Sequence, residues 1–390
     1  MKNIIFDTDL KDFAGDDFAL AFAIKSGRAD LSGVTTVRGN VGYGAKVAKK
    51  YLNLGGYGDV PVFTGSQNSF DGSVPENSYS IAGALTTEEQ LDEPSVYGVQ
   101  NNAPEFIVDS VRSRDNVIVA TGPLTNIARA LGLYPKLAGL TEVVVTDYNM
   151  LFDSPAARAV LSSGMPVTVI PSNILHDLSF DEAELQSTNV DELMKYVNTK
   201  LWHNQRFFGG HHLGHVNSAS LVGDPLTVAA VLSPEILETE DQRIAFEQPT
   251  SEDPKEGYKV KVAKSLDAQI FRRDFLGTLS RRPQDVYRDN GADIESRARA
   301  AIALGMPNEA LGFYEDIGET MPPKLYITTA ERFVPQTAFG ETVKWYSKLL
   351  SSGAQVDRNS VKERLKTIGD KLVLRGYLED AAVCYSLLKI

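Results

Sequence analysis

A compact apolar run, Ile4-Ile5-Phe6, opens straight into Asp7-Thr8-Asp9, and after an irregular stretch the adjacent pair Asp16-Asp17 leads into a second apolar run. The first run suits a buried parallel strand, and Asp7 and Asp9, two apart, share one face where that strand ends. Carboxylates gathered at the carboxyl edge of a sheet sit where open α/β folds bind ligands. Gly15 permits a sharp turn, and from Asp17 the residues Phe18, Ala19, Leu20, Phe22, Ala23 and Ile24 predict a buried helix with acids at its N-terminus. Without a neighbouring basic cluster, a divalent cation is the economical neutraliser of four such acids. All-oxygen donors favour calcium or magnesium over zinc. The competing reading, a helix cap with turn acids, stays open on this segment alone.

Three further segments repeat the same punctuation. Leu31 to Asn40 reads as a strand that closes on Thr35-Thr36-Val37-Arg38-Gly39-Asn40. Val117 to Ala128 reads as a buried strand, the turn Thr121-Gly122-Pro123-Leu124-Thr125-Asn126, and a helix start. Gly223-Asp224-Pro225-Leu226 sets a lone acid before a proline suited to the first turn of an apolar helix. The expected architecture is an α/β fold, a mostly parallel twisted sheet with helices on both faces and its pocket at the strand carboxyl ends. An all-α C-terminal domain follows it.

Taken in order, these segments resemble the inosine-uridine nucleoside hydrolase family over roughly residues 1 to 280. Asp59-Val-Pro-Val-Phe-Thr-Gly65, Asp147-Tyr148-Asn149 and Asp153-Ser-Pro-Ala-Ala157 belong to the same pattern. The resemblance implies a calcium-dependent N-glycosidase acting on a small-molecule ribonucleoside. It gives Asp9 the role of calcium ligand and proton acceptor for the attacking water. It makes Asp17, the carbonyl of Thr125 and the carboxylate of Asp224 further metal ligands. Asp16, Asn40, Asn149, Asp224 and, in place of a usual glutamate, Asp147 would bind the sugar. A calcium held partly by the ribose diol would also select against 2′-deoxyribose.

The chain departs from that pattern in four places. The loop Leu10 to Gly15 is longer than usual, so the register of Asp16 and Asp17 is inferred. The stretch between Val145 and Asp147 lacks a Gly-Gly and Gly-Asn loop. Gly223 stands where many relatives carry a histidine, which removes a common leaving-group acid, and Ser80 to Leu85 holds no His-Gly motif. All five histidines fall between His176 and His215. Gly209-Gly-His211-His212-Leu-Gly-His215 is therefore a candidate lid carrying a replacement acid, against the alternatives of a surface loop or a metal site. Trp202, Phe207 and Phe208 either stack a base or pack a helix.

The chain of 390 residues outruns such a core by about a hundred. Arg281-Arg282-Pro283 reads as a boundary, giving a hydrolase-like domain over 1–282 and a helical domain over 283–390. Within the latter, Glu309…Tyr314, Glu341…Tyr346 and Asp380…Tyr385 recur at intervals of 32 and 39 residues, a tetratricopeptide-like pattern. Its expected role is docking of a protein partner or homo-oligomerisation, unless it is a helical extension packed on its own core. On this division a chain ending near Arg282 is expected to fold and bind ribose.

The net charge of −12 argues against non-specific nucleic-acid or membrane binding, and the single Cys384 excludes an intrachain disulfide. With a strand almost at once and no apolar run of bilayer length, the cytoplasm is the expected location. Two other functions compete with hydrolysis. One is a ribonucleoside-binding protein that has lost turnover. The other is a haloacid dehalogenase-class phosphatase, because Phe6-Asp7-Thr8-Asp9 also fits that strand end.

Overall fold

The computed structural model describes residues 1–10, 14–74, 99–176, 178–207, 218–245, 257–333, 339–352, 356–374 and 377–388. Among the described residues nine strands form one sheet: β1 (Lys2–Thr8), β2 (Ala29–Thr36), β3 (Val62–Thr64), β4 (Val99–Asn101), β5 (Val117–Ala120), β6 (Glu142–Thr146), β7 (Val167–Ile170), β8 (Leu237–Ile244) and β9 (Tyr258–Leu266). Their spatial order is β4-β3-β2-β1-β5-β6-β7-β9-β8. Pairing is parallel from β3 through β9, and β8 closes the edge antiparallel to β9. This is the mostly parallel sheet expected from the apolar runs.

From β1 the chain steps outward through β2 and β3, then returns to lay β5 on the other side of β1. The direction of winding therefore reverses between β1 and β5, and a crevice opens at the carboxyl ends of those two strands. Ile4, Ile5 and Phe6 are all fully buried. Their alternation sends Ile5 into a core shared with Ile118, Val143, Val145 and Val169. On the opposite side lies the helix Ala14–Ser26, buried from Gly15 to Ile24 because it is apolar nearly all round. Its Phe18 and Phe22 pack on Phe275, which also contacts Phe180 and stacks on Phe271 at 5.5 Å. These two layers fix the height of β1 and so the position of the acids at its end.

A second compact unit comprises Arg281–Ile390 together with Lys49–Pro61, drawn from the latter part of the helix Val41–Leu54 and the turn after it. Its core gathers Ala301, Leu325, Trp345, Tyr346, Leu365 and Cys384. Of the three recurring tyrosines, Tyr314 and Tyr346 are buried, while Tyr385 donates to Asp370 at 2.6 Å. Asp59 is an anchor of this unit. It accepts from both Nη nitrogens of Arg299, at 2.7 and 3.2 Å, and from the Thr328 hydroxyl at 2.6 Å. Burial alone would raise its carboxyl, yet these partners hold it below the usual range. Lys49, fully buried, donates to the Gly58 carbonyl, and burial pulls its ammonium down to about 8. Among the described residues no helix is long and apolar enough to cross a membrane.

Candidate active site

The acids at the end of β1 separate into distinct tasks. Asp7 is fully buried and accepts from Thr35 Oγ1 at 2.5 Å and Asn126 Nδ2 at 2.8 Å. Asn126 also donates to the Thr36 carbonyl and accepts from Ser66 N, so Asp7 ties the ends of β1 and β2 to the start of the helix Thr125–Leu133. Burial pushes its carboxyl up to about 7, against the pull of those two donors. Asp7 positions the site.

Asp9 lies one residue beyond β1 and is paired with Arg38, whose Nη1 is 3.1 Å from Oδ2. The Gly-Pro turn after β5 approaches so closely that a Cβ on Gly122 would fall 2.8 Å from the Asp9 nitrogen and 2.6 Å from Val37 Cγ1. Glycine is therefore required at 122, because backbone occupies the space a side chain would need.

Asp16 enters from the start of the helix Ala14–Ser26 and accepts from Thr8 Oγ1 and, at 2.7 Å, from Thr121 Oγ1. Burial raises its carboxyl well above the normal range, and the nearby charges of Asp224 and Asp9 raise it further. Asp224 comes from the helix Ser218–Leu232 and accepts at Oδ1 from Tyr148 Oη at 2.7 Å and Asn149 Nδ2 at 3.0 Å. Burial, with a contribution from Asp9, pushes it up to about 7. Asn149 also donates to the Thr121 carbonyl at 2.9 Å. Asp9 and Asp16, from one end of the chain, and Asp224, more than two hundred residues on, thus form one electrostatic group beside Thr121.

The other expected site residues fall in different surroundings. Asp17, expected among the metal ligands, is ion-paired in the interior with Lys200 at 2.7 Å, while Asp16 faces Asp224 and Asp9. Thr125, expected to offer its carbonyl, turns its hydroxyl to Asp153 at 2.6 Å, and the Thr121 hydroxyl donates to Asp16. Asp147 is drawn to the end of β7, accepting from Ser172 Oγ at 2.5 Å and Ser172 N at 3.0 Å. There it lines a cavity of about 440 Å³ with Met150, Val169 and Ile174, and none of its described bonds joins the acid group. The absence of a loop before Asp147 explains this: strand β6 runs directly into the helix Asp147–Leu151.

Asn40 is exposed and caps the helix Val41–Leu54 by accepting from Tyr43 N at 3.0 Å. Pro225 lies inside its helix, which starts earlier than expected, at Ser218. His211, His212 and His215, the segment Ser80 to Leu85 and the side chains of Trp202, Phe207 and Phe208 lie outside the described residues. Arg38, Thr121 and Tyr148 were present in the recognised motifs but received no role there. Lys200 left no sequence signal, being one lysine on a long amphipathic helix.

Gly223 has a structural counterpart. A Cβ there would meet Tyr148 Oη and Cε1, both at 3.1 Å, so Tyr148 takes the room a larger residue at 223 would need. Burial and the adjacent Asp224 keep the Tyr148 phenol protonated far above its usual range, which makes it a firm donor and a poor acid.

The side chains that could hold a metal are Asp9, Asp16 and Asp224, with the Thr121 carbonyl beside them. Among the described residues no three acid, histidine or cysteine side chains close on a single point. The donor chemistry nonetheless fits a hard cation: all donors are oxygen, and their mutual repulsion marks negative charge that Arg38 leaves uncompensated.

A stability prediction follows. Asp7 and Asp224 are raised from 3.8 to about 7, so the folded state binds protons that the unfolded chain has released. Their contribution is full below about pH 4 and is lost as pH rises toward 7, the sign for a raised carboxyl. The metal-free protein is expected to melt at a lower temperature at pH 8 than at pH 5.5. Added calcium should reduce that difference; a melting temperature that rises over this interval would contradict the assignment.

The sequence model described as inosine-uridine preferring nucleoside hydrolase matches residues 4–273. An uncharacterized protein of Schizosaccharomyces pombe is 34% identical over 198 residues, a match spanning 45% of this chain and 62% of that protein. Uridine nucleosidase 1 of Arabidopsis thaliana is 26% identical over 265 residues, covering 60% of this chain and 75% of the relative. Among solved structures, a plant nucleoside hydrolase superposes with a TM-score of 0.58 at 22% identity, covering 72% of this chain and 99% of that one. A purine-preferring ribonucleoside hydrolase from Gardnerella vaginalis gives 0.55 at 22% identity, covering 72% and 98%. These two share the fold, and the phosphatase reading of the first strand falls away. With the matched region taking in every strand of the sheet and all three clustered acids, the chain belongs to the inosine-uridine preferring nucleoside hydrolase family.

Proposed function

We propose that the protein hydrolyses the N-glycosidic bond of ribonucleosides, releasing ribose and free base, at a calcium site held by Asp9, Asp16 and Asp224. The observation that supports this most is the electrostatic grouping of those three carboxylates near the end of β1, with Asp16 and Asp224 raised partly by their neighbours' charges. A bound calcium ion would supply the positive charge that satisfies the acids and makes a nearby water easier to deprotonate. Asp9 accepts that proton. The other carboxylates stabilise the positive charge that develops on the sugar as the C–N bond breaks. Asn149 keeps Asp224 and the Thr121 carbonyl in register.

Departure of the base is the weak point. Gly223 supplies no proton, and Tyr148 holds its own tightly. Nucleosides with activated leaving groups, such as nitrophenyl riboside or nicotinamide riboside, are therefore expected to be cleaved about 10²-fold faster than inosine or uridine. Assay of free ribose across that panel, with and without chelator, tests both parts. Cleavage that persists in chelator-stripped protein would sink the calcium proposal, and fast inosine turnover would point to a proton donor. A ribonucleoside-binding protein without turnover is the second reading, favoured by the missing acid. Binding of ribonucleosides without ribose release on any substrate would select it. The helical unit is a proposed platform for a protein partner or a second copy of the chain.

A further inference from the structure

Arg38 follows β2 with φ of 63°, a left-handed conformation that non-glycine residues adopt infrequently. Two backbone bonds pin it there, from Arg38 N to the Ser66 carbonyl at 2.7 Å and from Gly39 N to the Gln67 carbonyl at 2.8 Å. A pinned conformation of this kind at the rim of a site directs attention to what the side chain does. The guanidinium reaches Asp9 and lies 4.2 Å from the centroid of the Phe152 ring. Phe152 meets Tyr148 edge-on at 6.3 Å, and Tyr148 donates to Asp224. One row of side chains thus braces Asp9 at one end and Asp224 at the other, although the two carboxylates repel.

The Arg38 and Asp9 side chains are only 15% and 10% exposed, so water screens their attraction weakly. An arginine keeps its charge throughout the physiological range, and its planar head rests well on an aromatic face. Phe152, 42% exposed, offers such a face beside the acid. The guanidinium and a divalent ion would compete for the same carboxylate.

We propose, resting on the calcium reading above, that Arg38 is a positioning residue that acts as the resident cation of the metal-free site. It holds Asp9 in place against its neighbouring acids and gives up that carboxylate when a divalent cation binds. Arg38 thereby sets how tightly the site takes its metal. The arrangement keeps Asp9 ordered at the expense of metal affinity.

Calcium titration by calorimetry of the full-length protein and of Arg38→Gln tests this directly. The variant is expected to bind calcium about tenfold more tightly, since one competing charge is gone. Equal or weaker affinity in a folded variant would overturn the proposal. Should Arg38→Gln fail to fold, the unaltered protein decides: calcium is expected to speed phenylglyoxal modification of Arg38, read by peptide mass spectrometry, by about fivefold or more as the Asp9 pair opens. An unchanged rate there would overturn the proposal while leaving the calcium site standing. No calcium binding to the unaltered protein would defeat the functional reading itself.

Discussion

Replacing Asp9 by Asn is expected to leave the protein folded and to lower ribose release by about 10² or more, the scale of losing a positioned general base. The effect should fall on kcat for activated and unactivated substrates alike, because the attacking water has to lose its proton in both cases. Asn at this position keeps the size of the side chain and an oxygen to accept from Arg38, so the neighbouring Thr8 and Gly122 backbone need not move. Thermal melting within a few degrees of the parent would verify that. A variant that retains full turnover would remove Asp9 from the chemistry and transfer the question to Asp16, the other acid coupled to Asp224.

Truncation after Arg282 is expected to yield a protein that aggregates or melts far below the parent, contrary to a simple division of the chain at that residue. Lys49–Pro61 belongs with the helical unit. Removing residues 283–390 takes away Arg299 and Thr328 and leaves Asp59 without them. Breaking a buried ion pair by deleting one partner costs about 3–5 kcal/mol, a large share of the roughly 5–15 kcal/mol that holds a domain folded. Arg299→Ala in the full chain should show a loss of that order in a denaturant titration. A truncated protein that stays monomeric with the parent's melting temperature would refute this.

The sheet and the location of the site could be read from sequence because both rest on local patterns. Ile4-Ile5-Phe6 and Val117 to Ala120 are apolar runs that end on polar turns, and a parallel strand buried on both faces has no other simple signature. Which oxygen of which motif faces the pocket was not legible. Asp16 and Asp17 are adjacent on a helix, so their side chains point about 100° apart. Choosing between them needs the path of the preceding loop, which sequence spacing leaves open. Thr121 and Thr125 flank the same Gly-Pro turn, and which hydroxyl meets Asp16 and which meets Asp153 depends on segments far along the chain. Tyr148 and Arg38 act through partners 76 and 29 residues away, and no local pattern reports such pairings. The capture of Lys49–Pro61 by the C-terminal helices escaped for the same reason.

That capture imposes a schedule on synthesis. Asp59 emerges from the ribosome 240 residues before Arg299, its closest ionic partner. At about 5–20 residues per second the wait is roughly 12–48 s. Throughout it the nascent chain can assemble β1, β2 and the acid-bearing loop but carries a lysine and an aspartate whose burial has not been matched. The delay before this unit can close is thus a property of the chain's wiring, set by the 240 residues between Asp59 and Arg299.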